Sequence, residues 1–303
     1  MRWFETPDFN FLKAHKIGQV VSGILLVAAV IGILTTGLQY GIDFRGGKEF
    51  VLEFEEPVDV TEVRSELAGP LDGAPEVKLF GSPQEILIRT DNPDDISAVQ
   101  STIMETVGQL YSGNSATVIK TNIVGPRFAE DLKRGALNAV IFALIVVFLY
   151  ILIRFKNWTY SAGAVAALFH DVLIVLGIFT LFAEVAPFSM QIDQAIIAAF
   201  LTIVGYSLND TVVVFDRIRE NSLLYKTMDH DEMVNKSLND TLSRTVITSV
   251  TTFFVVTILF IFGGEVLKGF SFALMLGVII GTYSSLFIAS SVVVELHKRK
   301  KNA

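Results

Sequence analysis

His170, Asp171, Asn209, Asp210 and Arg244 sit inside stretches of sequence that are otherwise apolar. A carboxylate placed within a membrane span costs roughly 2.5–3.5 kcal/mol on insertion scales, so a chain keeps one where something pairs with it or uses it. Aspartate and histidine can bind and release a proton. Arginine keeps its charge and biases a neighbouring carboxylate. Asp210 lies in GYSLNDTVVVFDRIREN, 205–221, which leaves its apolar run through Asp216, Arg217, Arg219 and Glu220, groups that belong in water. If a helix reaches the surface near Arg217, Asp210 lies about 10 Å deep at 1.5 Å per residue. Arg244, entering from the same side near Asn239, reaches about 8 Å. Similar depth supports a pair of opposite charges, with Asn209 as the nearest polar neighbour of Asp210. The bland alternative is that Arg244 snorkels to the interface. His170 and Asp171 fall about 18 Å along their own span, near the midplane. They are either a hydrogen-bonded pair that fixes helix packing or a second proton site or relay.

Other chemistry has little to stand on. His15, His170, His230 and His297 show no metal-ligand spacing. There is no cysteine, which removes disulfides and thiolate sites. No phosphate-binding GxxxxGK[ST] loop and no GxSxG elbow occurs. The expectation is a non-enzyme without a resident metal or organic cofactor, with protons as the only coupling ion. An intramembrane protease would need a carboxylate pair, and the flanks of Asp171 and Asp210 do not look like one. The net charge of −7 and a pI near 5.2 argue against nucleic acid as a partner.

The elements that must hold these residues are membrane spans. Of 303 residues, 51% are hydrophobic and 18% charged, against about 25% charged in a soluble domain. The mean hydropathy is +0.54. The apolar residues fall in blocks of about 20, long enough to cross a bilayer. The first span is 18–40, too long for a signal-peptide core and read as uncleaved. Five more follow at about 136–153, 159–183, 194–215, 245–262 and 270–294. Cations collect at Arg154 and Lys156, at Arg217, Arg219, Lys226 and Lys236, and in the tail HKRKK; the loop after the third span has Glu184 and Asp193 but no Lys or Arg. The positive-inside rule therefore puts both termini, 1–17 and 297–303, in the cytoplasm.

The polar region 41–131 then lies outside the cytoplasm. Period-two runs at 49–55, 76–81, 85–90 and 116–125 alternate with helical patterns at 61–69 and 93–111, with a turn expected at Ser82-Pro83-Gln84. The order β-α-β-β-α-β is that of a ferredoxin-like unit. GIDFRGG, at 41–47, reads as a tight turn where this domain leaves the membrane, with a contact role open for Asp43 or Arg45. The Ser/Thr-rich run 241–254 suggests a face packed on other helices or lining a wet path. Gly277, Gly281 and Ser285 form a small-xxx-small ridge for close helix contact. The fold class is a polytopic α-helical membrane protein of six spans, with an inserted ferredoxin-like α+β extracytoplasmic domain.

One span, GIDFRGG, an acidic α+β domain, five more spans, GYSLNDTVVVFDRIREN and LSRTVITSVTT together resemble the smaller subunit of the SecD/SecF protein-export family, within the RND superfamily. The resemblance covers nearly the whole chain. It implies a bacterial inner-membrane location and pairing with SecD, which supplies six further spans. It also implies association with the SecYEG channel and use of the proton-motive force to assist preproteins on the outer side, in contact with membrane lipids. The family's functional Asp and Arg fall on Asp210 and Arg244. Two other readings stay open. An RND-type exporter of small molecules or lipids would need a larger outer domain. A purely structural subunit stabilising SecD would use Asp210 and Arg244 as an assembly pin.

Overall fold

The structure, a computed structural model, describes residues 8–302 except 74, 184 and 187. Glu184, used above in the charge pattern, lies outside the described residues.

Among the described residues six helices are long and apolar enough to cross a membrane: Phe11–Thr35, Pro126–Phe155, Trp158–Phe182, Gln194–Leu224, His230–Phe262 and Val266–Lys300. In chain order the elements are α1 (Phe11–Thr35), α2 (Ile42–Arg45), β1 (Gly47–Phe54), α3 (Val60–Ala68), β2 (Glu76–Phe80), β3 (Ser82–Thr90), α4 (Ile96–Leu110) and β4 (Ala116–Val124). They continue with α5 (Pro126–Phe155), α6 (Trp158–Phe182), α7 (Gln194–Leu224), α8 (His230–Phe262) and α9 (Glu265–Ser284). A π-helical turn, Ser285–Ala289, then joins α9 to α10 (Ser290–Asn302).

The helices outrun the apolar stretches. α5 begins at Pro126, a residue preset for a first helical turn. Its polar lead-in is laced by an Arg134–Glu130 pair one turn apart. α8 begins at His230, capped by the Asp229 carboxylate on the amides of Asp231 and Glu232, long before its apolar run. Charge ends a hydropathy signal without ending a helix. α1 differs in the other direction. It starts at Phe11, capped by Asn10, and stops at Thr35, with Gly37 at φ +73°. The last residues of the first apolar stretch are therefore extended chain.

The outer domain has the order β2-β3-β1-β4 with every neighbour antiparallel, the arrangement of a ferredoxin-like sheet. Phe50, Leu52, Ile86 and Ile88 alternate onto one face and pack against Val63 and Leu67 of α3 and Val99, Ile103 and Val107 of α4. The β2–β3 turn is at Gly81, not at Ser82-Pro83-Gln84. Gly81 has φ +85°, which glycine adopts without strain, and Ser82 and Pro83 already belong to β3.

The opposite face of the sheet rests on the membrane helices. Arg89 donates to Glu49 at 2.5 Å and to Glu76 at 3.3 Å, and also to Gln191 in the α6–α7 connection. That connection is tied to the end of the first span. The Ile192 amide donates to the Gln39 carbonyl at 2.7 Å, and the Gly41 amide to the Ile192 carbonyl at 2.8 Å. GIDFRGG is a short helix rather than a bare turn. Phe44 is buried with Phe179, Met190 and Phe200 in the membrane domain, and the Asp43 carboxylate accepts from the Gln194 amide at 3.0 Å.

Within the membrane domain two apolar clusters stack along the helices. One gathers Phe11, Ile151, Phe155, Ala167, Val214, Phe215, Leu238 and Ala289. The other gathers Val175, Phe179, Ile196, Phe200, Ile203 and Ala273. On α6, α7 and α9 the buried polar residues His170, Asp171, Ser207, Asp210 and Ser284 fall between the buried members of the two clusters, which stop at Ala167, Ile203 and Ala273 on one side and resume at Val175, Val214 and Leu286 on the other.

Candidate intramembrane polar site

α6 reaches the bundle interior from several sides at once, so the adjacent residues His170 and Asp171 are both buried. Asp171 is 0% exposed and both of its oxygens have partners. His170 Nδ1 lies 2.9 Å from Oδ1, while the Ser207 hydroxyl of α7 and the Ser284 hydroxyl of α9 donate to Oδ2 at 2.6 and 2.8 Å. On its other side His170 Nε2 lies 2.9 Å from the Ser22 hydroxyl of α1, which is 3.0 Å from the Tyr283 hydroxyl of α9. Tyr283 in turn donates to the Gly18 carbonyl at 2.5 Å. Four helices therefore meet through one carboxylate.

Small residues permit this approach. A Cβ on Gly281 would stand 2.9 Å from the Ser207 Cβ, one on Gly277 would stand 2.2 Å from Ile203, and one on Gly177 would stand 2.2 Å from Ala29. The ridge of Gly277, Gly281 and Ser285 is thus the face α9 turns to α7. Ser285 is itself fully buried at the start of the π-helical turn.

Asp210 lies one turn beyond Ser207 on α7 and is 3% exposed. Its surroundings are the reverse of those of Asp171. Among the described residues Oδ2 is buried with no hydrogen-bond partner, as are the hydroxyls of Tyr206, Thr211 and Thr245. The Arg244 charge and the Ser249 hydroxyl of α8 act on the carboxylate. Arg244 itself is exposed and makes no ion pair within 4.0 Å among the described residues. It lines an opening of about 340 Å³ with Asp216, Glu220 and Asp240. Asp216 and Glu220 are taken up by Arg154 at 3.0 Å and Arg217 at 3.1 Å, and Asp240 by Lys236 at 3.6 Å. Asn209 is exposed on the outer side of α7.

The structure brings Asp210 and Arg244 into one neighbourhood without joining them, sets Asn209 outward, and places His170 and Asp171 in a network of their own. The α8 hydroxyls divide by face. Thr241, Thr245 and Ser249 are buried, and Ser249 meets Thr282 of α9 at 2.6 Å. The partners of the network, Ser22, Ser207, Tyr283 and Ser284, escape a sequence reading. Ser22 is a single polar group in an apolar run, Ser207 falls within GYSLND, and Tyr283 and Ser284 lie in the stretch of α9 singled out for its small residues, none with a spacing that marks it as a partner of Asp171.

Residues 103–299 match the family described as protein export membrane protein SecD/SecF, C-terminal, and residues 31–58 match the SecD/SecF GG motif. A protein translocase subunit SecF from Rhodothermus marinus is 56% identical over 299 residues, covering 99% of this chain and 96% of the relative. One from Calditerrivibrio nitroreducens is 39% identical, covering 97% and 96%. Among solved structures, the chain is similar to SecDF, a translocon-associated membrane protein from Thermus thermophilus, with TM-score 0.86 and 35% identity. It covers 98% of this chain but 40% of that one. A SecDF in a super-membrane-facing form gives TM-score 0.71 at 34% identity, covering 99% and 40%.

Proposed function

The chain belongs to the SecD/SecF family of protein-export membrane proteins, and we propose that its part in protein translocation is to couple export to the proton-motive force through Asp210. The observation that carries this reading is the buried Asp210 oxygen without a hydrogen-bond partner, among hydroxyls that also lack one. An ionised carboxylate in that setting wants donors it does not have, and a protonated one wants an acceptor. Arg244 is the cation in its neighbourhood available to balance an ionised form. Neither state is saturated, so a proton can arrive or leave without dismantling a finished network. One charge crossing 100 mV supplies about 2.3 kcal/mol, enough to shift a two-state equilibrium nearly 50-fold.

The membrane domain in this proposal is one half of a pair. The exposed Asn209 and Arg244 beside Asp210 are polar groups that a second set of helices would cover. The solved SecDF chain, of which this one covers 40%, has room for that set. The partner is a SecD-type subunit, and the assembly works beside the SecYEG channel on emerging preproteins. The cation pattern of the loops supports a cytoplasmic placement of both termini, and the likeness to bacterial SecF subunits supports a bacterial inner membrane. The outer domain, tied to the α6–α7 connection through Arg89 and Gln191, moves with the helices and holds or releases the exiting chain. The chain carries out no covalent chemistry and uses no cofactor beyond the proton.

Asp210→Asn in the assembled complex is the test. Gradient-dependent export of a preprotein should fall by about tenfold or more, the loss of a bias of ~1.4 kcal/mol, while the variant still co-purifies with its partner. Export at the wild-type rate would remove Asp210 from the mechanism.

A further inference from the structure

We propose that His170 and Asp171 form a second proton-binding site, distinct from Asp210, whose proton controls one of the two hydrogen bonds that join Tyr283 of α9 to α1. The argument follows the direction of each hydrogen bond outward from Tyr283. Its hydroxyl has one proton, and the Gly18 carbonyl at 2.5 Å can only accept, so the phenol donates there. The Ser22 oxygen, 3.0 Å from the same phenol, must then supply the proton of that contact. Having given its proton to Tyr283, Ser22 can only accept from His170 Nε2 at 2.9 Å. Nε2 therefore carries a hydrogen. On the other side of the ring, Nδ1 and Asp171 Oδ1 are 2.9 Å apart and need one proton between them. The Ser207 and Ser284 hydroxyls already donate to Oδ2.

The dyad thus holds two hydrogens. It is either an imidazolium facing a carboxylate or a neutral Nε2–H imidazole facing a carboxylic acid. Both carry one proton more than a neutral histidine beside an ionised aspartate, and both are electrically neutral overall, which suits a fully buried site. Releasing that proton leaves a single ring hydrogen. It belongs on Nδ1, because otherwise a bare nitrogen would face a carboxylate oxygen. Nε2 then needs a donor, and Ser22 must turn its hydroxyl away from Tyr283 to provide it. The Ser22–Tyr283 contact, which joins α1 to α9, is left with two oxygens and no hydrogen. One proton added to or removed from the dyad therefore makes or breaks an interhelical bond. The π-helical turn that begins just after Ser284 puts a wider, more readily rearranged turn beside it.

Within their membrane-buried lengths the surrounding helices carry other titratable groups, among them His15 on α1, Tyr206 and Asp210 on α7 and Tyr283 on α9, while Lys13, Lys16, Asp216, Arg217, Arg219, Glu220 and Lys268 lie towards the helix ends. His15 is engaged with Ser290 at 3.3 Å and Asp210 is acted on from α8. Among the described residues no Lys or Arg pairs with Asp171 within 4.0 Å.

Nitrogen NMR of the full chain in lipid vesicles, labelled at its four histidines and assigned by difference against His170→Gln, reads the proposal directly. At neutral pH the His170 Nε2 signal should be that of a protonated nitrogen, and alkaline titration should convert it to a bare one while Nδ1 remains protonated. Tyr283→Phe, a conservative change, frees Ser22 to donate to Nε2. That variant should show the bare-nitrogen signal already at neutral pH. Asp210→Asn should leave the His170 signals unchanged, so failure of the proposed role of Asp210 does not decide this one. A wild-type Nε2 that is bare throughout the titration would make the dyad a purely structural pair, and a Tyr283→Phe protein with Nε2 still protonated would break the chain of donors.

Discussion

Asp171 and Asp210 are both buried carboxylates, set one helical turn apart through Ser207, yet the chain treats them in opposite ways. Asp171 receives His170 and two serine hydroxyls, drawn from α6, α7 and α9 of the same chain. Asp210 has an oxygen with no partner, a cation that acts on it without touching it, and neighbouring hydroxyls in the same condition. A saturated buried group holds helices in register, because any movement strands several donors at once. An unsaturated one contributes little to holding and is free to change its protonation. The difference divides the membrane domain into a joint, in which gaining or losing a proton rearranges bonds between helices, and a site whose proton breaks none.

The sharpest way to break this division is to remove the two carboxylates in turn and measure stability. Asp171→Ala strands His170, Ser207 and Ser284 in the interior and should cost about 3–5 kcal/mol in unfolding free energy, the range for removing one partner of a buried charged cluster. Reversible unfolding in detergent micelles would read it. Asp210→Asn should change the same quantity by less than about 1 kcal/mol, since no complete hydrogen bond is lost. If the two losses were alike, the contrast would be wrong, whatever either variant did to export.

Smaller changes sharpen the same contrast at the level of single hydroxyls. Ser207→Ala takes one donor from Asp171 and should cost about 1–2 kcal/mol, between the usual value for intramembrane hydrogen bonds and that for bonds to a charged group. Thr245→Ala removes a buried hydroxyl with no partner and should be neutral within about 0.5 kcal/mol, or slightly stabilising. The pair of measurements asks whether the absence of a partner at Thr245 has the energetic meaning given to it.

Much of this was visible in the chain before any coordinates. Strand and helix periodicities laid out the outer domain in order, because its strands bury one face and its helices one stripe. The exception was the β2–β3 turn, where the conformational freedom of Gly81 outweighed the turn propensity of Ser82 and Pro83. The cost of a carboxylate in lipid singled out Asp210. Depth along a helix then brought Arg244 to the right level but could not fix its direction. Each residue turns about 100° around the axis, so Thr245 faces the interior while Arg244, one position earlier, is exposed. The Asp171 network was out of reach for a related reason. Its members come from four helices, and nothing in the spacing of Ser22 or Tyr283 along its own helix says which neighbour it meets.

The addition of a single methyl group tests how closely the joint is fitted. Gly281 lies where α9 crosses α7, and a methyl group added there would sit 2.9 Å from the Ser207 Cβ, closer than such carbons come in folded proteins. Gly281→Ala must therefore push α9 and α7 apart by a few tenths of an ångström or turn Ser207 off its rotamer. Either response lengthens the bond from Ser207 to Asp171, now 2.6 Å. It leaves Ser249 and Thr282, on the α8 side of α9, nearly as they are. The added strain and the weakened bond together should cost about 1 kcal/mol. Combining Gly281→Ala with Ser207→Ala should then cost less than the sum of the two, because the second change removes the bond the first one stretches. Strict additivity would mean that the close approach of α9 to α7 serves packing alone and has no part in holding Asp171.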